Sequence, residues 1–303
     1  MAFAEIYRRQ VALLIRTLPL VAEEKAFALK GGTAINLFIR NMPRLSVDID
    51  LTYLPVQPRA ESLAAIDAAM KRIAGRVKGT IQGARITEGK LEGALTRLLV
   101  RADGVQTKIE VTPVLRGCVY DPKPRSVSEA VEEAFGFAEI QVVSFPDLYA
   151  GKIVAALDRQ HPRDLFDVRD LLANEGIDDL LRRAFIVYML SHDRPMSEVL
   201  APRRKDLSGE FLRGFDGMTD KSVSIEELTA AREALIKDIV GNMPADLRRF
   251  LISFERGEPE WALLGLPHAA ELPAVKWRQL NLDKLTPEKR AALVAGLEKA
   301  LSD

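Results

Sequence analysis

Two aspartates at alternate positions are the residues of this chain best placed to do chemistry. Asp48 and Asp50 alternate with the apolar residues Ile49 and Leu51, and Ser46 precedes them at the same spacing. In a β-strand, side chains two residues apart lie on one face, so the two carboxylates project side by side. Paired carboxylates repel each other unless a cation bridges them, and hard oxygen ligands suit Mg²⁺ or Mn²⁺. The pattern predicts a divalent metal site, and a solvated strand face is the structural alternative.

A glycine turn precedes these aspartates in the sequence. Gly31 and Gly32 follow the short apolar run 26–30, and Thr33 opens a segment that predicts a helix to residue 40. Glycines at a helix N-terminus let backbone N–H groups approach phosphate oxygens, and the helix dipole favours the negative charge. A tight turn with Thr33 as the N-cap is the alternative. Joined to the aspartates, the turn predicts a nucleoside triphosphate held between the glycines and a metal ion.

A third carboxylate lies in the segment 106–112, where Lys108 and Glu110 alternate with Ile109 and Val111. If this strand lies beside the Asp48 strand, Glu110 can join the cluster and bind a second ion or assist a base. A surface strand with a Lys/Glu pair is equally compatible with these residues.

Two cations lie seven residues apart in the segment 147–159, which strongly predicts a helix. Lys152 and Arg159 therefore share one helix face, where they could bind a triphosphate. Asp164, near the start of the next predicted helix, could orient Lys152 or serve as a base. A helix with ordinary surface charge is the alternative.

The elements that must position these residues divide the chain in two. Helices are predicted at about 3–24 and 59–77, and strands at about 26–30, 44–53, 80–86, 95–101 and 106–112. From residue 147 onward the pattern is mostly helical, with no strand. We therefore expect an α+β domain over residues 1–145 and a mainly helical lobe over residues 146–303.

The composition excludes several classes of protein. Lys and Arg number 43 and Asp and Glu also 43, so the net charge is zero and a phosphate-bearing partner needs a local basic patch. Cys118 is the only cysteine and the three histidines are scattered, which argues against disulfides and zinc. The longest apolar run, 184–190, is far shorter than the ~20 residues of a membrane helix. We expect a cytoplasmic protein with no membrane partner.

Four ordered motifs resemble the nucleotidyl transferase AbiEii/AbiGii toxin family: LKGGTAINLF, PRLSVDIDLTY, KIEVTP and LYAGKIVAALDRQHPRDLFDV. The resemblance implies a DNA polymerase β-like nucleotidyltransferase fold with a mixed sheet in the N-terminal lobe. It also implies a toxin of a toxin–antitoxin or abortive-infection system, restrained by a cognate antitoxin. Such a toxin would use Mg²⁺ or Mn²⁺ to transfer a nucleoside monophosphate from an NTP to RNA. The resemblance makes the 3′ end of tRNA the expected acceptor, so that the modification would block translation.

The resemblance assigns roles by motif. The glycine turn would contact the triphosphate with Ser46 beside it, and the two strand aspartates would bind metal. Lys152 matches the motif lysine, and Asp164 and Asp167 match the Asp-x-x-Asp that follows it. We therefore expect the helical lobe to contribute Lys152 and Asp164 to the active site. Spacing adds two further candidates, Glu110 and Arg159. The residues expected to be catalytic are Asp48, Asp50, Lys152 and Asp164. The residues expected to bind the nucleotide are Gly31, Gly32, Thr33, Ser46, Lys152 and Arg159, and those expected to bind metal are Asp48, Asp50 and Glu110.

Several of these assignments have alternatives that the sequence leaves open. Glu110 stands where an aspartate is often found, so a structural role is the alternative to metal binding. The acceptor could be a protein hydroxyl or a small molecule, or the chain could be a non-catalytic relative that binds RNA or protein. Two basic segments, Arg203–Lys205 and Lys276–Arg278, are candidates for nucleic-acid contact. The favoured interpretation is structural: a solvated helix end, or a core tryptophan with charged neighbours. Ser46 is a candidate for modification, because a phosphate there would repel the triphosphate.

Overall fold

The computed structural model describes residues 3–302 and divides into two compact units. The first unit comprises Met1–Ser144 and Phe215–Ser222, and the second comprises Phe145–Gly214 and Val223–Asp303. The short segment 215–222 therefore belongs to the first unit although residues of the second unit flank it on both sides.

A seven-stranded mixed sheet is the centre of the first unit. Its strands are β1 (Phe27–Lys30), β2 (Asp48–Tyr53), β3 (Arg85–Leu91), β4 (Ala94–Ala102), β5 (Val105–Arg116), β6 (Lys123–Ser126) and β7 (Glu139–Val142). Their order across the sheet is β3-β4-β5-β2-β1-β7-β6. The pairs β1/β7 and β2/β5 are parallel, and the other neighbours are antiparallel. The α+β class and the mixed sheet expected from the sequence are confirmed.

Four helices accompany this sheet: α1 (Glu5–Ala22), α2 (Gly31–Ala34), α3 (Arg59–Thr80) and α4 (Glu129–Phe135). A π-helical turn, Ile35–Ile39, continues α2. Helix α3 packs on β4, and α1 packs on β5 and β7. In β4 the buried residues Leu98 and Val100 alternate with the exposed residues Arg97 and Arg101, so one sheet face forms the core.

The second unit contains helices and no strand among the residues that the structure describes. Its helices are α5 (Phe145–Asp158), α6 (Pro162–Asn174), α7 (Asp179–Leu190), α8 (Met196–Leu200), α9 (Ser208–Gly214), α10 (Ile225–Ile236), α11 (Ala245–Arg256), α12 (Trp261–Leu264), α13 (Pro273–Asp283) and α14 (Pro287–Ser302). Buried aromatic side chains such as Tyr149, Phe185 and Phe250 fill its core. Between residues 3 and 302, no helix is long and apolar enough to cross a membrane.

Three strand boundaries differ from the sequence prediction. The strand predicted at 80–86 begins only at Arg85, because α3 extends to Thr80 and the Ile81 N–H still bonds to the Val77 carbonyl. The strand predicted at 44–53 begins at Asp48, because residues 44 and 45 pair instead with the segment 215–222. Strand β5 continues past the predicted end at residue 112, because a register shift against β2 absorbs Pro113, which has no N–H.

Candidate active site

The glycine turn lies directly against the first aspartate pair. Lys30 ends β1 and is the register partner of Asp50 on the antiparallel strand β2. Gly31 then turns the chain into α2 with φ +77°, a left-handed conformation that favours glycine. A Cβ at Gly31 would lie 2.8 Å from Oδ2 of Asp50. The absence of a side chain at Gly31 is therefore what lets the Asp50 carboxylate reach the N-terminus of the helix.

The missing side chain of Gly32 likewise makes room for neighbouring side chains. A Cβ at this position would lie 2.7 Å from Nη2 of Arg44 and 3.1 Å from Oγ of Ser46. Arg44 is 2% exposed, so its guanidinium is buried against the turn. The two glycines thus let an arginine, a serine and an aspartate side chain come within contact distance of the same backbone.

Thr33 connects the turn to the start of β2. Its buried hydroxyl donates to the main-chain carbonyl of Asp48 and lies 3.0 Å from Oγ of Ser46. One hydroxyl has one proton, so the Ser46 hydroxyl donates to Thr33. Helix α2 starts at Gly31, and its N-cap residue, Lys30, makes no side-chain cap. The alternative of Thr33 as the N-cap is therefore wrong, and Thr33 instead fixes the turn to the aspartate strand.

The carboxylates of the two strands lie in register. Strands β2 and β5 are parallel neighbours in which Asp48 is the partner of Lys108 and Asp50 is the partner of Glu110. Glu110 therefore lies beside Asp50, the arrangement that its proposed role requires. Its Oε2 atom accepts a hydrogen bond from Lys108 Nζ at 2.8 Å.

Two lysines border this acidic face. Burial lowers the pKa of Lys108, but Glu110, Asp48 and Asp50 outweigh that effect and raise the pKa above its ordinary value. Burial lowers the pKa of Lys30 below its ordinary value, against the attraction of Asp50 and Glu110. The carboxylates therefore outweigh burial at Lys108, whereas burial outweighs them at Lys30.

The donor set fits Mg²⁺ or Mn²⁺ held by two carboxylates. Mg²⁺ usually keeps several waters and binds through one or two carboxylates together with substrate phosphates. Asp48 and Asp50 supply two such groups from one strand face, and the Asp50 carboxylate makes no hydrogen bond or ion pair within residues 3–302. In that part of the chain, no group of three or more His, Cys, Asp or Glu residues is arranged to hold a metal. Glu110 as a metal ligand therefore stays a prediction.

A second cluster of predicted residues lies inside the helical unit. Lys152 Nζ on α5 is 2.8 Å from Oδ1 of Asp164 and 3.0 Å from Oδ2 of Asp167, both on α6. The Arg159 guanidinium contacts both carboxylate oxygens of Asp164, at 2.5 and 3.0 Å. Two cations and two anions thus form one network, in which only the Arg159 side chain is largely exposed.

The electrostatics of this cluster define what Asp164 can do. Burial raises the pKa of Asp164, but Lys152 and Arg159 outweigh burial and hold it well below its ordinary value. Asp164 is therefore an anion at neutral pH, and its strongest effect is to fix the orientation of Lys152 and Arg159. The structure brings together Lys152, Arg159 and Asp164 as the sequence predicted, and adds Asp167 as the second anion.

Three cations of the first unit had no role in the site predicted from the sequence. Lys30, Arg44 and Lys108 all lie against the glycine turn or the carboxylates. Lys30 directly precedes the two glycines and Lys108 shares a strand face with Glu110, so their positions were available from the motifs. Arg44 had no such signal, because its contact with Gly32 depends on how the chain folds back.

The two candidate nucleic-acid segments are mostly occupied by internal contacts. Arg204 pairs with Glu233, and Lys205 Nζ donates to the Asp158 carbonyl. Arg278 is directed inward and donates to the His192 carbonyl, whereas the Trp277 side chain is 60% exposed. These contacts favour structural roles for Arg204 and Arg278.

Comparison with known proteins gives related folds and a family. A solved structure with the same fold is MenT4, a nucleotidyltransferase toxin from Mycobacterium tuberculosis H37Rv, with a TM-score of 0.59 and 18% identity over 92% of this chain and 94% of that one. Terminal uridylyl transferase 4 from Trypanosoma brucei, with bound dUTP, gives a TM-score of only 0.33 at 11% identity over 97% of this chain and 93% of that one, too low to support an argument. No curated protein matches the chain significantly.

The family model described as nucleotidyl transferase AbiEii toxin, type IV toxin–antitoxin system, matches residues 12–277. This range covers most of the chain and includes every predicted site residue of both units. The chain is therefore a nucleotidyltransferase that belongs to the AbiEii toxin family of type IV toxin–antitoxin systems.

Proposed function

We propose that the protein is a Mg²⁺- or Mn²⁺-dependent toxin that transfers a nucleoside monophosphate from an NTP to RNA, with the 3′ end of tRNA as the acceptor. The observation that carries this proposal is the contact of the glycine turn with Asp50, since Gly31 leaves no room for a side chain between them. A helix N-terminus and a free carboxylate at one point suit a triphosphate and its cation.

The residues of the first unit divide the work of binding the nucleotide. The backbone N–H groups of Gly31 and Gly32 would contact phosphate oxygens, and Thr33 and Ser46 keep this turn fixed to β2. Asp48 and Asp50 would hold the divalent ion. Such an ion, when bound, neutralises triphosphate charge and orients the phosphates for in-line displacement.

The transfer itself needs only the NTP and an acceptor hydroxyl. The hydroxyl oxygen forms a bond to the α-phosphorus, the bond from that phosphorus to the bridging oxygen of the β-phosphate breaks, and pyrophosphate leaves. The hydroxyl proton passes to solvent. Catalysis is then mostly positioning and charge stabilisation, and it requires carboxylates and backbone donors rather than a covalent nucleophile.

The cluster of the second unit is part of this proposal. Lys152 and Arg159 are the cations that we propose to be required for activity, and Asp164 is proposed to act by orienting both. The family also implies an antitoxin as protein partner. We expect the antitoxin to restrain the enzyme in the cytoplasm, where tRNA and NTPs are present.

The test is incubation of the purified protein with total tRNA, Mg²⁺ and each labelled NTP in turn, with label counted on RNA and on protein. Asp48→Ala and Lys152→Ala are the test variants, and Asp121→Ala removes an exposed carboxylate of the same unit as a control. We expect label on RNA from the wild type and from Asp121→Ala, and at least 100-fold less from the two test variants.

Two outcomes would contradict the proposal. Label on protein alone would assign the acceptor to a hydroxyl side chain instead of RNA. Incorporation that survives Asp48→Ala, or that does not depend on a divalent ion, would exclude the proposed metal site.

A further inference from the structure

Three exposed arginines lie on the same sheet face as the candidate metal-binding carboxylates. Asp50 is the register partner of Glu110 on β5, and Glu110 is the partner of Arg97 on β4. Arg97 and Arg101 share a face of β4, and Arg101 is the partner of Arg85 on β3. We call Arg85, Arg97 and Arg101 the arginine row. It continues the acidic face of β2 and β5 without changing side of the sheet.

The distances suit a short stretch of polymer. Strands lie about 4.8 Å apart, so two strand spacings place Arg97 about 10 Å from Asp50. Arg101 is four residues further along β4, which is about 13 Å at 3.3 Å per residue. The arginine row therefore covers a length of several nucleotides, beginning beside the candidate metal site.

No member of the arginine row forms an ion pair within residues 3–302. Arg85 and Arg97 make no hydrogen bond or ion pair with any residue between 3 and 302, and Arg101 bonds only to the neutral hydroxyl of Thr87, at 2.9 Å. Elsewhere in the same unit, by contrast, Arg72 and Arg76 both bind Glu24. Exposed guanidiniums that form no ion pair with a carboxylate are suited to phosphate, which they bind through paired N–H donors.

A glycine holds one member of the row in place. Gly89 is the cross-strand partner of Arg97, and a Cβ at Gly89 would lie 2.7 Å from Arg97 Nε and 3.1 Å from Nη2. The Arg97 guanidinium therefore lies across β3 in the space that Gly89 leaves. This contact restricts the direction of the side chain, and it provides a way to move the guanidinium without removing its charge.

An open cavity lies at the hairpin end of the arginine row. Its volume is about 530 Å³, and the side chains that line it include Ile6, Gln10, Arg85, Arg101, Asp103 and Gln106. This volume is within the usual range for small-ligand sites. Glutamine amides carry both donors and acceptors, and so they can bond to the edge of a base.

We propose that the arginine row binds the phosphates of the RNA acceptor and directs its 3′ end toward Asp48 and Asp50. This inference rests on the proposed function and names the surface that the acceptor occupies. An acidic protein is a poorer fit, because the neighbours of Arg97 and Arg101 on this face are Glu110, Thr87, Leu99 and Gln106, none of which is a large exposed apolar anchor.

The test compares the triple variant R85A/R97A/R101A with the wild type and with Arg125→Ala, which removes an exposed arginine on β6. Binding of total tRNA is measured between 50 and 300 mM salt, and the KM values for tRNA and for the NTP are measured separately. Each phosphate contact contributes about 0.7–0.9 to the slope of log K against log salt, so the triple variant should lose about 2 from this slope. Its KM for tRNA should rise at least 10-fold, with the NTP KM unchanged.

Gly89→Ala and Arg97→Lys keep the proposal testable if the triple variant does not fold. Gly89→Ala displaces the guanidinium of Arg97 and should raise the tRNA KM without changing the charge of the protein. Arg97→Lys keeps a point charge and should fall between the wild type and Arg97→Ala. A tRNA KM and salt slope equal to those of the wild type in all of these variants would overturn the proposal.

The design separates this inference from the function on which it rests. If no NTP labels RNA, the proposed function fails, and direct tRNA binding still tests the arginine row. If the wild type labels RNA and the triple variant does so with unchanged tRNA KM, only the arginine row is excluded.

Discussion

The backbone of Gly31 and the carboxylate of Asp50 occupy adjacent space, such that a methyl group on Gly31 would lie 2.8 Å from Asp50 Oδ2. Nothing in the separate motifs requires this contact, since the two residues are 19 positions apart in the sequence (50 − 31). It arises because β1 and β2 are antiparallel neighbours and Lys30 is the partner of Asp50. The glycine turn and the strand aspartate are thereby fixed to each other by a single hydrogen-bonded strand pair.

Gly31→Ala should inactivate the enzyme while leaving it folded. The added methyl displaces the Asp50 carboxylate, and we expect at least a 100-fold fall in incorporation of labelled NMP into RNA. The matched control is Gly93→Ala, because Gly93 has a similar φ of +82° with no atom within 4 Å of the added Cβ. Both variants carry the same backbone strain, so equal activity in the two would show that the contact with Asp50 is irrelevant.

Thr33→Val should weaken both stability and activity, whereas Thr33→Ser should restore them. Valine keeps the shape of threonine but leaves the Asp48 carbonyl and the Ser46 hydroxyl without their buried partner. Loss of a buried hydrogen-bond partner costs about 1–3 kcal/mol, which denaturant unfolding can measure. An active Thr33→Val protein with unchanged free energy of unfolding would contradict the role given to this hydroxyl.

Asp164→Asn should destabilise the helical unit. The amide has no charge to match Lys152 and Arg159, and breaking a buried ion pair costs about 3–5 kcal/mol. Asp179→Asn is the control, since Asp179 is 63% exposed and its pair with Arg183 should contribute less than about 1 kcal/mol. The free energies of unfolding of the two variants, measured side by side at pH 7, should therefore differ clearly.

Glu24 gives a prediction about pH. Two hydrogen bonds from Arg72, together with one from Arg76, lower the pKa of Glu24 from its ordinary value of 4.5. A carboxyl group with a lowered pKa in the folded state stabilises the protein above its unfolded pKa, and the contribution is lost as pH falls through the folded pKa. Glu24→Gln should therefore cost about 1–2 kcal/mol at pH 7, and less as the pH falls below about 4.5.

The control for this prediction is the preceding residue. Glu23 is 58% exposed and contacts Arg76 at 3.3 Å, so Glu23→Gln should change the free energy of unfolding by less than about 1 kcal/mol at either pH. Urea unfolding at pH 7 and pH 3.5 supplies the measurement. A difference between Glu24→Gln and the wild type that stays constant over this range would exclude the assigned pKa change.

The alternation of apolar and polar residues predicted most of the strands in the first unit. Strands β2 and β5 bury one face and expose the other, so alternation alone placed Asp48, Asp50 and Glu110 on one side. Strands β6 and β7 escaped prediction because each has four residues, and β6 is wholly exposed with a proline and two cations. Such a segment becomes a strand only because a neighbouring strand offers hydrogen bonds, which no local pattern records.

The contacts between the site residues were harder to predict than which residues belong to the site. Thr33 carries the same hydroxyl whether it caps a helix or bonds to Asp48, and only the fold decides between the two. Likewise, Arg44 is buried against Gly32 because residues 44 and 45 pair with the segment 215–222. Partners distant in sequence therefore determine the geometry of residues whose identity the motifs already indicated.

The segment 215–222 also determines when the first unit can finish folding during synthesis on the ribosome. The Leu45 N–H bonds to the Met218 carbonyl at 2.7 Å, and Arg44 forms a bridge with Thr219, so the residues leading to Ser46 lack their support until residue 219 exists. The ribosome must add more than 70 residues after Ser144 before the first unit is complete, which takes on the order of ten seconds at 5–20 residues per second. A nascent chain therefore carries Asp48 and Asp50 throughout that interval before residues 44 and 45 gain the pairing partners that hold them in the folded unit.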